Sequence, residues 1–567
     1  MVSASGKIIM WCVFALIGVN FLLWSIIMPV FEPADESGHY AHILYIWKQG
    51  RLPNLADPVP TEKGVGYTTY PPLYYFSLIP LAKLIDAPLE SEELLPYHPQ
   101  KELFKKSVYA VYLHTKDELF FKWNSLAKSV HLLRLQTSLY GLLTVYLVYL
   151  TGKKVFGEKS RKPLLAAVLV GLNPMFAHIS NSIVNVNLNI LLFSFFFYLV
   201  ANSLQKSSRV PVRGRGDPFF SLDCHGVKPV LNEAEGRLAM TKLSFSTTLK
   251  LNFVLGIIAG AAYLSKITGL VLIPIWGLLM AINLFRKKHA DRLSFFGIQS
   301  VFFTLGFLTS SGWYLIRNYN LYGSLLETEV AIKYFGRPAM QLEMSGPVNY
   351  WTGFVQTNFK TFFSGYGMLT VNLPDKIVYL LALTAIIGVW GIILSEKENP
   401  LRSLLKGFSL IILFGHIIVN LNVEAFHARD LFIGMVPFSL LFVDGVRIWL
   451  KELLSGKLWS SRIINSGAFS IFLTISLFHF LQPDLVDFVK LGLFKSQISV
   501  SETIKLISFT VIFYILWLTF KSFSSKIAGM LIKISSGRNF LWLLAGGLFA
   551  SNILILYLLV IPKLYQL

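Results

Sequence analysis

The sequence predicts an all-α polytopic membrane protein, and three observations predict it. Of the 567 residues, 54% are hydrophobic and only 14% are charged, where water-soluble domains carry roughly 25% charge. Apolar runs recur along the chain, each close to the roughly 17–25 residues a helix needs to cross the hydrocarbon core. Lys and Arg collect in alternate connections between those runs, the pattern that fixes orientation in a membrane.

Thirteen runs read as spans: roughly 8–30, 131–151, 163–180, 183–204, 250–266, 268–285, 295–316, 377–395, 404–422, 431–446, 465–482, 504–521 and 541–562. The first has Lys7 before it and no small-residue cleavage site after it, so it reads as a retained signal anchor. Lys266 interrupts one long apolar stretch and divides the fifth span from the sixth. Placing the N-terminus in the cytoplasm puts the basic connections on one side and gathers 29 of the 51 Lys and Arg there. The net charge of +20 is then topology and contact with anionic lipid, with no call for a nucleic-acid partner. Two cysteines, Cys12 and Cys224, exclude a disulfide framework and a cysteine-only metal site.

This orientation makes one transmembrane unit of residues 1–567, integral to the cell (inner or plasma) membrane, with the polar site outside. Residues 31–130 form a long first external loop, 317–376 a second, 205–249 a basic cytoplasmic loop, and 447–567 carry the last helices. Within the first loop, His39 to Lys48 and Pro72 to Ile85 read as short interfacial helices with Tyr and Trp at the boundary. Pro71-Pro72 stops any helix from upstream and suits the start of a new one.

Five separate segments deliver polar residues to that external face. Asp35, Glu36, His39 and His42 follow the first span, and Lys266 sits at the tip of a hairpin. Arg317 ends the seventh span, while Glu424, His427, Arg429 and Asp430 open the tenth. Asn181, Asn185, Asn187 and Asn189 crowd the turn between the third and fourth spans. Each group alone has a plain structural reading, since Arg and Lys snorkel and Asn favours turns. Together they hold carboxylates able to act as a base or orient a hydroxyl, and cations able to clamp a phosphate leaving group. Such a site suits a substrate with phosphate at headgroup level and an apolar tail in lipid.

The pieces stand in an order that resembles the GT-C superfamily of polyprenyl-phosphate-sugar-dependent glycosyltransferases, which includes protein O-mannosyltransferases and aminoarabinose transferases. "EPADESGHYAHILYIWKQGRLP" resembles the carboxylate motif of the first external loop, and "GYTTYPPLYYFSLIPLAKL", which contains Tyr70, its later aromatic element. "NPMFAHISNSIVNVNLNILLF" resembles the outer turn, "GIIAGAAYLSKITGLVLIP" the hairpin with Lys at its tip, "GWYLIRNYNLYGS" the Arg-Asn segment, and "HARDLFIGMVPFSLL" the Arg-bearing start of a late helix. The likeness covers roughly residues 1–446. It departs at Asn187, where relatives often carry Asp, and at Asp430, where an aromatic residue is commoner.

The resemblance implies Asp35 as base or orienting carboxylate with Glu36 as its partner, and Lys266, Arg317 and Arg429 as the phosphate-binding set. His39, His42, Tyr70, Asn187 and His427 are the further substrate-binding candidates. It implies transfer of a sugar, normally with inversion, from a polyprenyl-phosphate donor to an acceptor that is protein, lipid or glycan.

Two other readings stand beside it. Glu36-Ser37-Gly38-His39 and Glu424-Ala425-Phe426-His427 share the Glu-x-x-His spacing of di-iron bundles, without the further Glu residues such a centre needs. A single divalent cation held by Asp35, Glu36 and His39 is the more economical metal reading. A transporter of lipid-linked sugars would instead show discontinuous helices near the midplane and related halves.

Overall fold

The computed structural model describes residues 4–54, 70–88, 125–208, 233–285, 292–326, 340–393, 400–422, 427–454 and 538–565, with Ala110, residues 112–114 and Glu118. Among them the regular elements are helices, and Tyr366 and Val371 form an isolated bridge. Fifteen helices frame the account. They are α1 (Ala4–Ile27), α2 (Glu36–Gln49), α3 (Leu73–Leu84), α4 (Ser125–Phe156), α5 (Lys162–Gly171), α6 (Pro174–Ser180), α7 (Val186–Ser208) and α8 (Glu233–Ser265). The series continues with α9 (Leu272–Phe285), α10 (Arg292–Tyr322), α11 (Met340–Phe363), α12 (Asp375–Ile393), α13 (Pro400–Asn422), α14 (Met435–Leu454) and α15 (Arg538–Ile555).

Six helices are long and apolar enough to cross a membrane, or seven if the bent pair α5–α6 counts as one span. The expected spans at 465–482 and 504–521 lie outside the described residues, and each of the others falls on a helix. Among the described residues, six or seven of the thirteen expected spans meet the length and composition of a crossing helix. Two of the expected spans differ from a plain crossing, and so does one expected loop from a plain loop. Residues 163–180 are broken by 65° at Leu172–Asn173, because Pro174 has no amide to donate and Asn173 caps the new helix, accepting from the Phe176 amide at 3.0 Å. Residues 268–285 begin as a 3₁₀ turn, Ile267–Val271, before α9. The segment 317–376, expected as a second external loop, is not a simple loop, since it contains the 24-residue α11.

Close packing positions the site. On α8, Gly256 lies against Phe303 and Gly260 against Phe307 and Ser310 of α10, and a Cβ at Gly256 or at Gly306 of α10 would run into the Phe303 or Phe253 carbonyl of the other helix. Small residues at this spacing let two backbones approach where lipid offers no hydrophobic drive to associate. The segment after α1 builds its own core. Tyr40, Ile43 and Leu44 of α2 pack with Tyr74, Tyr75 and Leu78 of α3 against Leu126, Val130 and Leu133 of α4. The two short helices thus lie where the sequence predicts them, but the face they bury is covered by α4.

Candidate functional site

The chain reverses sharply after α1, and two non-glycine residues take left-handed backbone angles there, Phe31 (φ 63°) and Asp35 (φ 68°). Asp tolerates this region better than most residues, and such strain persists where surrounding contacts over-determine it. Asp35 holds the N-cap position of α2, yet its side chain makes no capping bond. Its carboxylate instead meets the Arg429 guanidinium.

Arg429 and Asp430 lie on a 3₁₀ turn, Ala428–Gly434, that leads into α14. His427 caps the turn, its Nδ1 accepting from the Arg429 amide at 3.0 Å, and the Ala428 amide donates to Thr361 Oγ1 of α11 at 2.9 Å. Asp430 accepts from the Lys266 ammonium. Lys266 sits in extended backbone (φ −158°) between the end of α8 and the following 3₁₀ turn. Gly269 closes this reversal against the Ala262 and Tyr263 backbone, where a Cβ would collide. The turn is tied to the start of α7 by Asn189 Nδ2 donating to Thr268 Oγ1 at 2.7 Å and Ser265 Oγ donating to the Asn185 carbonyl at 3.1 Å.

Two ion pairs, Asp35–Arg429 and Lys266–Asp430, therefore stand side by side. Their side chains keep 13–24% of their surface exposed while His39 and His427 beside them are almost fully buried. His39 Nδ1 bonds the Tyr75 hydroxyl at 2.8 Å, and its ring stacks on Tyr70 and Tyr75. His42 packs on the other side of Tyr75, with centroids 4.1 Å apart. Burial, opposed by Asp35 and reinforced by Arg429, lowers His39 to about 3, so it is neutral at ordinary pH. Burial and then Arg429 do the same to His427, also to about 3. Tyr70 is within electrostatic range of Arg429 as well. The structure thus brings Asp35, His39, Tyr70, Lys266, His427 and Arg429 into one neighbourhood.

Three sequence-predicted residues have other partners. Glu36 is fully buried and turned away from Asp35. It takes Arg134 Nε at 2.8 Å and Nη2 at 2.5 Å, with the Ile183 amide at 2.9 Å and the Phe31 amide at 3.0 Å. With these four donors it is a structural carboxylate that binds α2, α4 and the α6–α7 turn. Asn187 donates to the Ile179 and Ser182 carbonyls at 2.9 Å and clamps the same turn. Arg317 donates to the Pro53 carbonyl at 2.6 Å and lies over the Tyr314 ring, fastening α10 to the end of the first-loop helix pair. Glu424 lies outside the described residues.

The candidate metal set does not fit. Glu36 is committed to Arg134 and His39 Nδ1 to Tyr75. Among the described residues, no group of three or more His, Cys, Asp or Glu is disposed to hold an ion.

Sequence reasoning missed Arg134, although an arginine inside the apolar run 131–151 is itself a signal. It also missed a buried triad in which His114 Nε2 meets Glu32 and Nδ1 meets Glu118, each at 2.8 Å. Burial opposes protonation of His114, but hydrogen bonds to Glu118 and Glu32 outweigh it and raise the imidazole to about 9. Its folded value lies above the unfolded value of about 6.5, so its stabilisation is complete below that pH and is lost as pH rises through about 9. The thermal midpoint of purified protein is expected to fall between pH 7 and 10. In a His114→Gln variant that pH-dependent part of the fall disappears.

No protein-family description matches the chain, and no curated protein matches it either. Among solved structures, it is similar to ArnT from Cupriavidus metallidurans bound to undecaprenyl phosphate. That match has a TM-score of 0.44 and 12% identity, over 94% of this chain and 79% of the other. The apo state of the same protein gives 0.40 at 14% identity, covering 93% of this chain and 77% of that one. The Archaeoglobus fulgidus oligosaccharyltransferase tethered to an acceptor peptide gives 0.42 at 13% identity, covering 80% and 51%.

Proposed function

We propose that this chain is an integral membrane glycosyltransferase that moves a sugar from a polyprenyl-phosphate donor to an acceptor at the extracytoplasmic face. The observation that carries the reading is the strained, uncapped Asp35 aimed at Arg429, with the Lys266–Asp430 pair beside it. A carboxylate able to cap its own helix is held instead beside a guanidinium, partly exposed, at the ends of membrane helices.

In this reading the acceptor hydroxyl attacks the anomeric carbon, and the new C–O bond forms as the bond to the phosphate oxygen breaks. The electron pair leaves on polyprenyl phosphate, and the hydroxyl proton passes to Asp35, or is oriented by it. Arg429 and Lys266 take up the charge that develops on the departing phosphate. Arg429 suits this role because its planar fork grips two phosphate oxygens where an ammonium offers one point charge. The anionic donor competes with Asp35 and Asp430 for these cations. Neutral His39 and His427 add no charge beside the ion pairs, and Tyr70, stacked on His39 and half-buried, is the ring of that stack that offers a flat face to a sugar.

The broken pair α5–α6 favours a transporter of lipid-linked sugars, since such proteins use discontinuous helices. Here the break is sealed by protein, with Asn552 Nδ2 donating to the freed Leu172 carbonyl at 3.0 Å.

The test is an assay of purified protein with a panel of polyprenyl-phosphate sugars, following release of polyprenyl phosphate. Turnover of at least one donor is expected, with a KM that rises in Arg429→Lys. Donor that crosses a vesicle membrane uncleaved, with no sugar transfer, would overturn the enzyme reading in favour of transport.

A further inference from the structure

His427 has work for only one of its two ring nitrogens. Its Nδ1 accepts from the Arg429 amide at 3.0 Å, and a ring nitrogen that accepts carries no proton. The neutral imidazole therefore holds its one proton on Nε2, as a donor. Nε2 is buried and, among the described residues, meets no hydrogen-bond partner. A buried donor without an acceptor is costly, yet rotating the ring would break its bond to the Arg429 amide. The neighbouring amide gives no slack either. Ala428 donates to Thr361 Oγ1 at 2.9 Å, and the Thr361 hydroxyl donates to the Thr357 carbonyl at 2.7 Å. The imidazole is thus fixed with its donor unused.

The residue type is informative as well. Asn, Asp, Ser and Thr are the usual side chains for capping the start of a helical turn, and any of them offers an oxygen to the Arg429 amide. Histidine adds a second nitrogen on the far side of the ring, for which the cap has no use. The ring lies within electrostatic reach of Arg429, Asp430, Lys266 and Asp35, the members of both ion pairs. Beside two cations the fitting partner for an N–H is an anionic oxygen, and phosphate oxygens accept without donating. We propose that His427 Nε2–H is a third phosphate-binding group, donating to a non-bridging oxygen of the lipid-linked phosphate held by Arg429 and Lys266. The inference rests on the glycosyltransferase reading and adds a residue role to it. The phosphate displaces Asp35 and Asp430 from the two cations, and the imidazole meets an oxygen that replaces them. A neutral donor gains from the charge on phosphate without repelling Arg429 or Lys266 before the lipid arrives.

The test uses the full chain, with a polyprenyl phosphate, the matching polyprenol and inorganic phosphate as probes. His427→Asn keeps a capping oxygen for the Arg429 amide but removes the Nε2 donor, whereas His427→Ala removes both. His427→Asn should therefore keep a thermal midpoint that His427→Ala loses. It should bind polyprenyl phosphate about 10- to 100-fold more weakly, the range for one hydrogen bond to a charged group, with polyprenol binding unchanged. Wild-type affinity for polyprenyl phosphate in His427→Asn would overturn the proposal and leave the histidine as a cap alone. A second measurement needs no variant. In histidine-labelled wild-type protein, nitrogen–phosphorus recoupling by solid-state NMR should place a ring nitrogen about 4 Å from the lipid phosphorus, one hydrogen bond and one P–O bond away. The contact should vanish in His427→Asn. Its absence from the wild type, or its survival in that variant, would overturn the proposal. Inorganic phosphate giving the same contact at comparable concentration would overturn the lipid assignment. Contact with the lipid phosphorus but turnover of no donor would overturn the glycosyltransferase reading and leave the phosphate contact standing.

Discussion

Asp35→Asn is expected to lower turnover by about 10²–10⁴-fold, the range for loss of a general base, while binding of the lipid-linked donor changes little. The backbone makes this an unusually clean substitution. Asp35 sits at φ 68°, a region where Asn is as comfortable as Asp, and both serve equally at an N-cap. The charge itself is engaged by Arg429. Single-turnover kinetics with saturating donor separate the chemical step from binding. Near-normal turnover would remove Asp35 from the chemistry. A fall in donor affinity alone would assign it to holding Arg429 in place.

The second large effect is on folding. Glu36→Gln or Arg134→Met breaks an ion pair whose two side chains are both fully buried. Leaving one such charge uncompensated costs about 3–5 kcal/mol. Arg134 also donates to the Met28 and Pro29 carbonyls at 2.5 and 2.8 Å, so its loss frees the reversal that carries Asp35. Both variants should show a much lower thermal midpoint and poor recovery of monodisperse protein. The double variant Glu36→Gln with Arg134→Met should recover part of the loss, because no lone charge remains. A Glu36→Gln protein of unchanged stability that is inactive would return Glu36 to the catalytic candidates.

Adjacent residues thus end with different work, and the sequence could not divide them. Asp35-Glu36 reads as a pair of carboxylates, but the left-handed turn at Asp35 and the start of α2 at Glu36 send one to Arg429 and the other into the core. The deciding partner, Arg134, lies 98 positions away. The helices were legible because apolar length is a local property, and α2 and α3 were legible from Pro71-Pro72 and the aromatic spacing. The meeting of Lys266 and Arg429 in one neighbourhood was legible only through orientation, which charge asymmetry supplies. Their pairing with Asp430 and Asp35 was not, since a chain pattern says which face a cation reaches and nothing of which anion it finds. Arg317 shows the converse. Placed on the right face by its span, it spends its guanidinium on the Pro53 carbonyl.

The seal over the broken span has a consequence for how the protein is made. Asn552 of α15 bonds the Leu172 carbonyl and accepts from the Trp24 indole at 2.8 Å, while the Tyr565 hydroxyl reaches the Ile27 carbonyl at 3.1 Å. The polar groups opened in the first 172 residues thus wait for partners emerging some 380 residues later. Until then they sit in apolar surroundings that offer no substitute donor or acceptor. Assembly therefore cannot finish segment by segment from the N-terminus. The bundle that begins with α1 is completed only when α15 threads back beside it, which makes the last helix the closing latch of the first.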